Sequence, residues 1–256
     1  MCKIIALLLI PFLGFNQSSL PFPLSESLCL HSESPIASLF RDSNLDRASG
    51  QYFALGTTYY PDFNNLREDQ LNYAWSNPSQ KVLSSYSYYG NAFYHENNLK
   101  FGYSRKLGPK FWSGLNLNML HRFQAEIGHD YQLGFRFHSA FMLNPMLRAS
   151  FSYQHWLNPA LANRNQALLL LALPLGKNII LQAASSVSAQ GLSWLNLAWS
   201  YHILPGLEYG QSWLGYNFLQ LEQALIIELK KWCLSFTYRW SQELRPQVNF
   251  ILAYAL

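Results

Sequence analysis

The chain has 256 residues, of which 16% are aromatic and only 12% are charged, and its formal net charge is +4. Disordered chains combine few aromatic residues with a high net charge, so this composition excludes disorder. A helical membrane protein is disfavoured, because no run after the N-terminus reaches the roughly 18 to 20 apolar residues that a transmembrane helix needs. The Lys and Arg residues are scattered and form no basic stripe, and we therefore expect no nucleic-acid partner.

The first segment in chain order, residues 1–19, has the pattern of a secretory signal peptide. Lys3 supplies the positive charge, and an apolar run from Ile4 to Phe15 follows it, interrupted by Pro11. This run is too short to span a bilayer, although a short buried helix or a membrane anchor remains an alternative. We expect the segment to be absent from the exported, mature protein.

Residues 20–50 are predicted to form an irregular N-terminal segment, because they are polar and show no periodicity. Cys29 lies in this segment and could pair with Cys233 only if the segment folds back, which the sequence leaves open. No CxxC element and no Cys/His spacing typical of a metal site occurs anywhere in the chain. We therefore expect no metal and no other cofactor.

The next stretch, residues 51–79, is ambiguous. It contains one run resembling a strand from Tyr52 to Tyr60, a polar patch at 64–70 and a turn at 76–79. We assign it to the same domain as the rest of the chain, residues 51–256.

From Gln80 onwards the hydrophobic pattern has a period of two. The run 232–240 alternates without exception, and the run 131–138 places large apolar residues at every odd position. Side chains alternate between the two faces of a strand, so each run has one apolar and one polar face. The pattern predicts about twelve strands of roughly 9 to 13 residues, with 166–174 also compatible with a buried helix. Their bounds are 80–90, 94–106, 110–122, 128–142, 146–157, 166–174, 178–187, 192–203, 206–214, 217–229, 231–241 and 246–256.

The chemistry of the two faces favours a membrane barrel over a soluble sheet. The apolar face is rich in Leu, Phe, Tyr and Trp, whereas the other face carries Ser, Asn, Gln, Gly and few charges. Backbone groups in lipid must all be paired, so only a closed barrel can place a sheet there. We predict an all-β fold: an antiparallel transmembrane β-barrel of about twelve strands (range 10 to 14) in the outer membrane. A secreted soluble β-protein is the alternative.

Two sets of residues are candidates for functional positions. Aromatic residues near strand ends are predicted to lie at the lipid interface: Trp112, Trp156, Trp199, Tyr201, Trp232, Trp240 and Tyr254. Polar residues on the other face are predicted to point into the lumen: Gln132, Arg136, His138, Asn196, His202, Glu222, Glu228 and Arg239. The second set would form either a selectivity lining or, as we favour, a hydrogen-bonded filling of a narrow barrel.

No motif of an enzyme is present: the sequence has no GxSxG, HExxH, GxGxxG or phosphate-binding loop. The mid-strand positions of the apolar face also leave no room for a serine–histidine pair exposed to lipid. We expect the protein not to be an enzyme.

Short motifs between residues 97 and 160 resemble the PorV/PorQ-type and FadL-like outer-membrane barrels of the Bacteroidota. They are Tyr103 to Gly108 (YSRKLG), Ser113 to Leu120 (SGLNLNML) and Leu157 to Pro159 (LNP), with Ala54 to Gly56 (ALG) upstream. Members of this group usually have fourteen strands, and from the short spacing after Pro78 we infer a shortened barrel. The group includes channels for hydrophobic compounds and non-enzymatic subunits of the type IX secretion machinery.

Two functional hypotheses follow. The first is a non-enzymatic subunit or scaffold of a secretion-related outer-membrane assembly, with membrane lipid and further proteins as partners. The alternative is a FadL-like passive channel for small or hydrophobic solutes, with residues 20–50 as an N-terminal plug.

Overall fold

Fourteen antiparallel strands close into a barrel. The computed structural model describes residues 49–60, 66–144, 147–158, 165–175, 178–188, 191–215, 219–241 and 246–256. Within these residues no helix is long and apolar enough to cross a membrane. The strands are β1 (Gly50–Tyr59), β2 (Arg67–Ser76), β3 (Gln80–Gly90), β4 (Tyr94–Gly108), β5 (Phe111–Gln124), β6 (Gly128–Asn144), β7 (Leu147–Trp156), β8 (Gln166–Leu175), β9 (Ile179–Ser188), β10 (Gly191–Leu204), β11 (Leu207–Gly215), β12 (Leu219–Leu229), β13 (Trp232–Ser241) and β14 (Gln247–Ala255).

The barrel has two more strands than the sequence predicted. β3 to β14 lie close to the twelve predicted segments, and the ambiguous stretch supplies β1 and β2. β1 pairs with both β2 and β14, which closes the sheet. The estimate of about twelve strands and the inference of a shortened barrel are therefore wrong. The stretch 166–174 is a strand and not a helix.

The polar patch that obscured β2 has a simple cause. Arg67 and Asp69 point outward and are solvated, while Glu68 and Gln70, which alternate with them, point into the barrel and are buried. Alternation of apolar with polar residues is visible only in the second half of the strand, where Leu71, Tyr73 and Trp75 face outward. Both faces of the first half are polar, which hides the period-two signal.

The predicted signal peptide and nearly all of the predicted irregular segment lie outside the described residues. Ser49 and Gly50 are described, and Gly50 already belongs to β1. Cys29 also lies outside, so its pairing with Cys233 remains an open prediction.

The two ends of the barrel differ in their connections. At one end, which we call the short-turn end, each connection between strands has two or three residues. The described chain ends meet at this end, where Leu256 donates a backbone hydrogen bond to the carbonyl of Gln51 at 2.9 Å. At the opposite, long-loop end, residues 60–66 join β1 to β2 and residues 157–165 join β7 to β8.

Candidate functional site: the lumen wall

All eight predicted lumen residues lie at inward-facing positions. Gln132, Arg136, His138, Asn196 and Glu222 are buried. His202, Glu228 and Arg239 alternate with outward residues on β10, β12 and β13 and are half-buried. Polar side chains of β6, β10, β12 and β13 therefore line the lumen at these positions.

Glu222 and Arg239 form the best-defined ion pair of the wall. They face each other across β12 and β13, and the guanidinium donates from Nε at 2.9 Å and from Nη2 at 2.6 Å to Oε2 of the carboxylate. Both side chains are shielded from water, with relative exposures of 6% for Glu222 and 13% for Arg239. Charge-assisted bonds of this kind are strong when solvent is excluded.

The wall of β3 to β7 is basic from mid-strand to its short-turn end. Lys81 and Arg136 are buried there, and Lys100, Lys106 and Arg148 share the same inward face. His138 lies among them and contacts Ser104, with Nε2 and Oγ 2.8 Å apart. The juxtaposition gives this side of the lumen a positive potential.

At the long-loop end the inward face of β2, β4 and β6 carries acidic residues that were not among the predicted lumen residues. Glu68, Glu96 and Asp130 point inward on β2, β4 and β6. Arg122 on β5 lies between Glu96 and Asp130 and donates to Glu96 from Nε at 2.9 Å. These residues were missed although their parity on each strand matches that of the predicted lumen residues.

Tyr60 lies in the loop that follows β1, close to Glu68 at the long-loop end. Its ring meets the ring of Tyr89 edge-on, with centroids 5.9 Å apart. Burial, together with the nearby carboxylate of Glu68, raises the pKa of the Tyr60 phenol. Its hydroxyl can donate a hydrogen bond at the long-loop end of the lumen.

The wall of β8 is apolar, in contrast to its neighbour. Four inward positions of β8 are Leu168, Leu170, Ala172 and Pro174, and on β9 the inward Ile180 and Ala184 flank the polar Gln182. The four β8 side chains are only half-buried, so they remain accessible within the lumen. This apolar wall meets the basic wall where Arg148 pairs with Ala172.

A second apolar group lies on the opposite side of the barrel. Tyr52, Ala54, Ala74, Leu83, Ile226, Cys233 and Ala253 are all buried and form one cluster. The cluster spans β12 to β14 and β1 to β3, which face β8 and β9 across the fourteen-stranded ring. Cys233 lies within it, where a thiol behaves as a small apolar side chain.

Two of the predicted interface tryptophans lie inside the barrel. Trp112 is 4% exposed and lies beneath the ammonium of Lys106, 5.6 Å from the ring centroid, and Trp156 is 8% exposed and packs on Leu120. Both occupy inward positions by the alternation of their own strands, so their place near a strand end was a misleading guide. The other five point outward: Trp199, Tyr201, Trp232, Trp240 and Tyr254.

The outward aromatic residues make the contacts of an interfacial belt. Trp232 packs against Tyr254 with centroids 4.5 Å apart, and Trp199 meets Tyr209 at 5.6 Å. Between such rings the exposed surface is aliphatic and aromatic, with Leu117 and Phe236 at mid-strand. Aromatic residues at the ends of an apolar band are typical of barrels in membranes.

The described residues contain no group of three or more His, Cys, Asp or Glu side chains arranged to hold a metal ion. The lumen has walls of different polarity.

Solved structures with the same fold are outer-membrane barrels. The CymD monoaromatic hydrocarbon channel superposes with a TM-score of 0.60 at 8% identity, covering 88% of this chain and 91% of that one. The toluene transporter TodX of P. putida gives 0.56 at 9% identity, covering 87% and 92%. Omp33, an outer-membrane protein of Acinetobacter baumannii, gives 0.58 at 11% identity, covering 81% and 98%.

No protein-family model matches the chain, and no curated protein sequence matches it. At such low identities the likeness establishes the fold alone. The fold that it defines is the closed, antiparallel β-barrel that these outer-membrane proteins have.

Proposed function

We propose that the protein is a passive outer-membrane channel for small or hydrophobic solutes. The observation that carries this proposal is the accessible apolar wall of Leu168, Leu170 and Ala172 inside the barrel. A barrel used only as a scaffold needs no accessible apolar surface inside its lumen. Leucine side chains facing a lumen cost free energy unless something apolar covers them, at about 25 cal/mol per Å². A solute with apolar surface would supply that cover as it passes.

The fold supports this channel hypothesis over the scaffold hypothesis. CymD is described as a hydrocarbon channel and TodX as a toluene transporter, and both superpose over most of their length. In the proposal, the signal peptide at 1–19 directs export, and residues 20–48 restrict the lumen as a plug. The short-turn end faces the periplasm, because bacterial barrels keep short turns on that side.

Uptake of an apolar fluorescent probe by intact cells tests the proposal. Lipopolysaccharide slows entry of N-phenyl-1-naphthylamine, so a host that expresses the protein should take up the probe several-fold faster than a host with an empty vector. The double variant Leu168→Asn with Leu170→Asn should return uptake to the empty-vector rate, because the apolar wall becomes polar. Ser150→Asn is the matched control, since Ser150 pairs with Leu170 and is already polar.

Equal uptake by expressing and empty cells would refute the channel. Equal uptake by the wild type and the double variant, both faster than the empty vector, would mean that the barrel is a pore in which the apolar wall has no role. Planar-bilayer conductance tests the plug. Deletion of residues 20–48 is expected to raise the conductance of the barrel.

A subunit role in a PorV/PorQ-type secretion assembly is the second candidate. Phe93 and Ile127 favour it, because they lie in the tight turns after β3 and β5 and are 75% and 78% exposed. Apolar side chains at hairpin tips are suited to contact another protein. Purification from detergent extracts should then recover stoichiometric partners, and the double variant Phe93→Ser with Ile127→Ser should lose them. A clean monomer would count against this role.

A further inference from the structure

Four of the seven histidines lie on the outer surface of the barrel, where the channel does not use them. His95, His121 and His129 project outward near the long-loop ends of β4, β5 and β6, and His155 does so on β7. The first three lie together with aromatic rings in what we call the imidazole patch. Its members are His95, His121, His129, Tyr88, Phe123 and Tyr131.

The rings of the patch are in direct contact. His95 stacks on Phe123 with centroids 4.9 Å apart, and His121 stacks on Tyr131 at 4.6 Å and on His129 at 5.2 Å. Tyr131 is 73% exposed, and His129 is exposed as well. The patch is therefore an open, flat surface that carries ring nitrogens.

A chain of hydrogen bonds fixes where the protons of this surface lie. The Tyr86 hydroxyl donates to Oδ1 of Asn97 at 2.7 Å, so the amide nitrogen donates to Nδ1 of His121 at 3.2 Å. Neutral His121 then carries its proton on Nε2 and donates it to Nδ1 of His129 at 2.9 Å. Neutral His129 in turn carries its own proton on Nε2. The last donor of the chain thus belongs to its most exposed member.

The same chain can take up one proton without losing a bond. If His129 is protonated at Nδ1, this nitrogen donates to Nε2 of His121. The proton of His121 then moves from Nε2 to Nδ1 of the same ring. Rotation of the Asn97 amide and of the Tyr86 hydroxyl then restores the two remaining bonds in reverse. A second proton would make both facing nitrogens donors, so the imidazole pair holds a single positive charge.

The residues around the His121–His129 pair favour binding of an anion beside its positive charge. His95 on β4 and Tyr131 on β6 are the other titratable groups beside the pair, and His155 on β7 lies against Phe135 instead. Glu96 and Asp130 point to the lumen, and Arg67 and Asp69 on β2 form their own ion pair at 2.9 Å. Within the described residues of β3 to β7 and their turns, the only other carboxylate is that of Glu126, at the tip of the β5–β6 turn.

The patch borders the lipid-facing belt. Beyond the patch and its hydrogen-bonded Asn97, the outward positions toward mid-strand are Leu99 on β4, Met119 on β5 and Leu133 on β6, where the apolar surface begins. Lipid phosphates lie just outside a hydrocarbon core that is about 30 Å thick. Ring nitrogens immediately beyond the apolar belt are therefore at the level of the headgroups.

We propose that the imidazole patch binds the phosphate groups of anionic membrane lipids. The Nε2 donor of His129 and the ring nitrogens of His95 face the phosphate, and Phe123 and Tyr131 pack on the apolar part of the lipid beneath it. A single proton taken up by the His121–His129 chain gives the patch a positive charge. Binding strengthens as the pH falls. The inference requires only that the belt faces lipid, and it does not depend on solute passage.

Lipid retention tests this inference independently of transport. The full-length protein is reconstituted in nanodiscs of equimolar phosphatidylcholine and phosphatidylglycerol, and retained lipids are identified by native mass spectrometry at about pH 5.5 and about pH 7.5. Phosphatidylglycerol should be retained several-fold over phosphatidylcholine at the lower pH and much less so at the higher. The double variant His121→Gln with His129→Gln should lose this preference. His155→Gln, an outward histidine outside the hydrogen-bond chain, should keep it.

Equal retention of the two lipids by the wild type at the lower pH overturns the proposal, and so does an unchanged preference in the double variant. A second measurement needs no variant. Modification of His129 by diethyl pyrocarbonate, located by mass spectrometry, should be slower in phosphatidylglycerol vesicles than in phosphatidylcholine vesicles, and equal rates would contradict phosphate binding.

Discussion

The indole of Trp156 lies directly against the backbone of Gly134 on the neighbouring strand. The two residues are paired across β6 and β7, and a β-carbon on Gly134 would come 2.8 Å from an indole carbon. The same arrangement recurs at the pairs Gly114–His138 and Gly102–Asn116. Inward glycines on β4, β5 and β6 thus make room for the large side chains that line this wall.

Substitution of Gly114 should destabilise the barrel. A β-carbon there would lie 2.5 Å from Nε2 of His138 and 2.6 Å from the carbonyl oxygen of Tyr103, and the backbone atom cannot move aside. We expect Gly114→Ala to lower the free energy of unfolding by about 1 to 3 kcal/mol, as overpacking does. Urea unfolding in detergent, followed by the heat-modifiable gel mobility of the barrel, measures it. Gly108→Ala is the control, because its β-carbon would meet open space.

Breaking the Glu222–Arg239 pair should cost more than breaking an exposed pair. Glu222→Gln leaves the guanidinium without this carboxylate in a shielded site, and we expect a loss of about 3 kcal/mol in the free energy of unfolding. The double variant Glu222→Gln with Arg239→Gln should recover much of that loss. Asp69→Asn breaks the exposed pair with Arg67 and should cost less than about 1 kcal/mol. Similar losses in the two single variants would contradict this assignment of the lumen wall.

A charge at the middle of the outer belt should impair assembly. Phe135→Lys or Phe236→Lys places an ammonium in hydrocarbon, at a cost of about 2 to 4 kcal/mol near the bilayer midplane. Leu107→Lys, near the end of β4, should cost less than about 1 kcal/mol. The fraction of heat-modifiable barrel in membrane extracts reports the outcome. Full assembly of both mid-strand variants would mean that the belt does not face lipid.

The closing seam can be tested with a disulfide. The bond between Leu256 and Gln51 places the hydrogen-bonded pairs at odd positions of β1, so Thr58 and Asn249 form a non-hydrogen-bonded pair. Such pairs have Cα atoms about 4.5 Å apart, which suits a disulfide. With the native cysteines replaced by Ser, Thr58→Cys with Asn249→Cys should crosslink on oxidation. Thr58→Cys with Ala253→Cys, four residues out of register, should not; crosslinking of both would refute the register.

The sequence predicted strands wherever one face touched lipid. Alternation placed β13 within one residue of its bounds, because Trp232, Phe236 and Trp240 all face outward. It failed on β2, where Arg67 and Asp69 are solvated and the outward face is no longer apolar. It was ambiguous on β8, because Leu168 and Leu170 give the inward face the same character as the outward one.

The lumen residues could be predicted from parity, but their partners could not. Arg239 alternates with Tyr238 and Trp240, which is enough to turn it inward. Its contact with Glu222 depends on the register of two strands, and register is set by the turn between them and by the pairing of the whole ladder. The two tryptophans placed wrongly, Trp112 and Trp156, show that parity is a better guide than nearness to a strand end.

The unequal connections give the molecule a direction. Six tight turns make one rim nearly flush, whereas the other rim carries every longer segment, including residues 60–66 and 157–165. Foreign peptides inserted after Asn158 would therefore be displayed on a single side of a cell envelope. An insertion between Lys230 and Lys231 would instead lie at the short-turn rim, on the opposite side of the barrel.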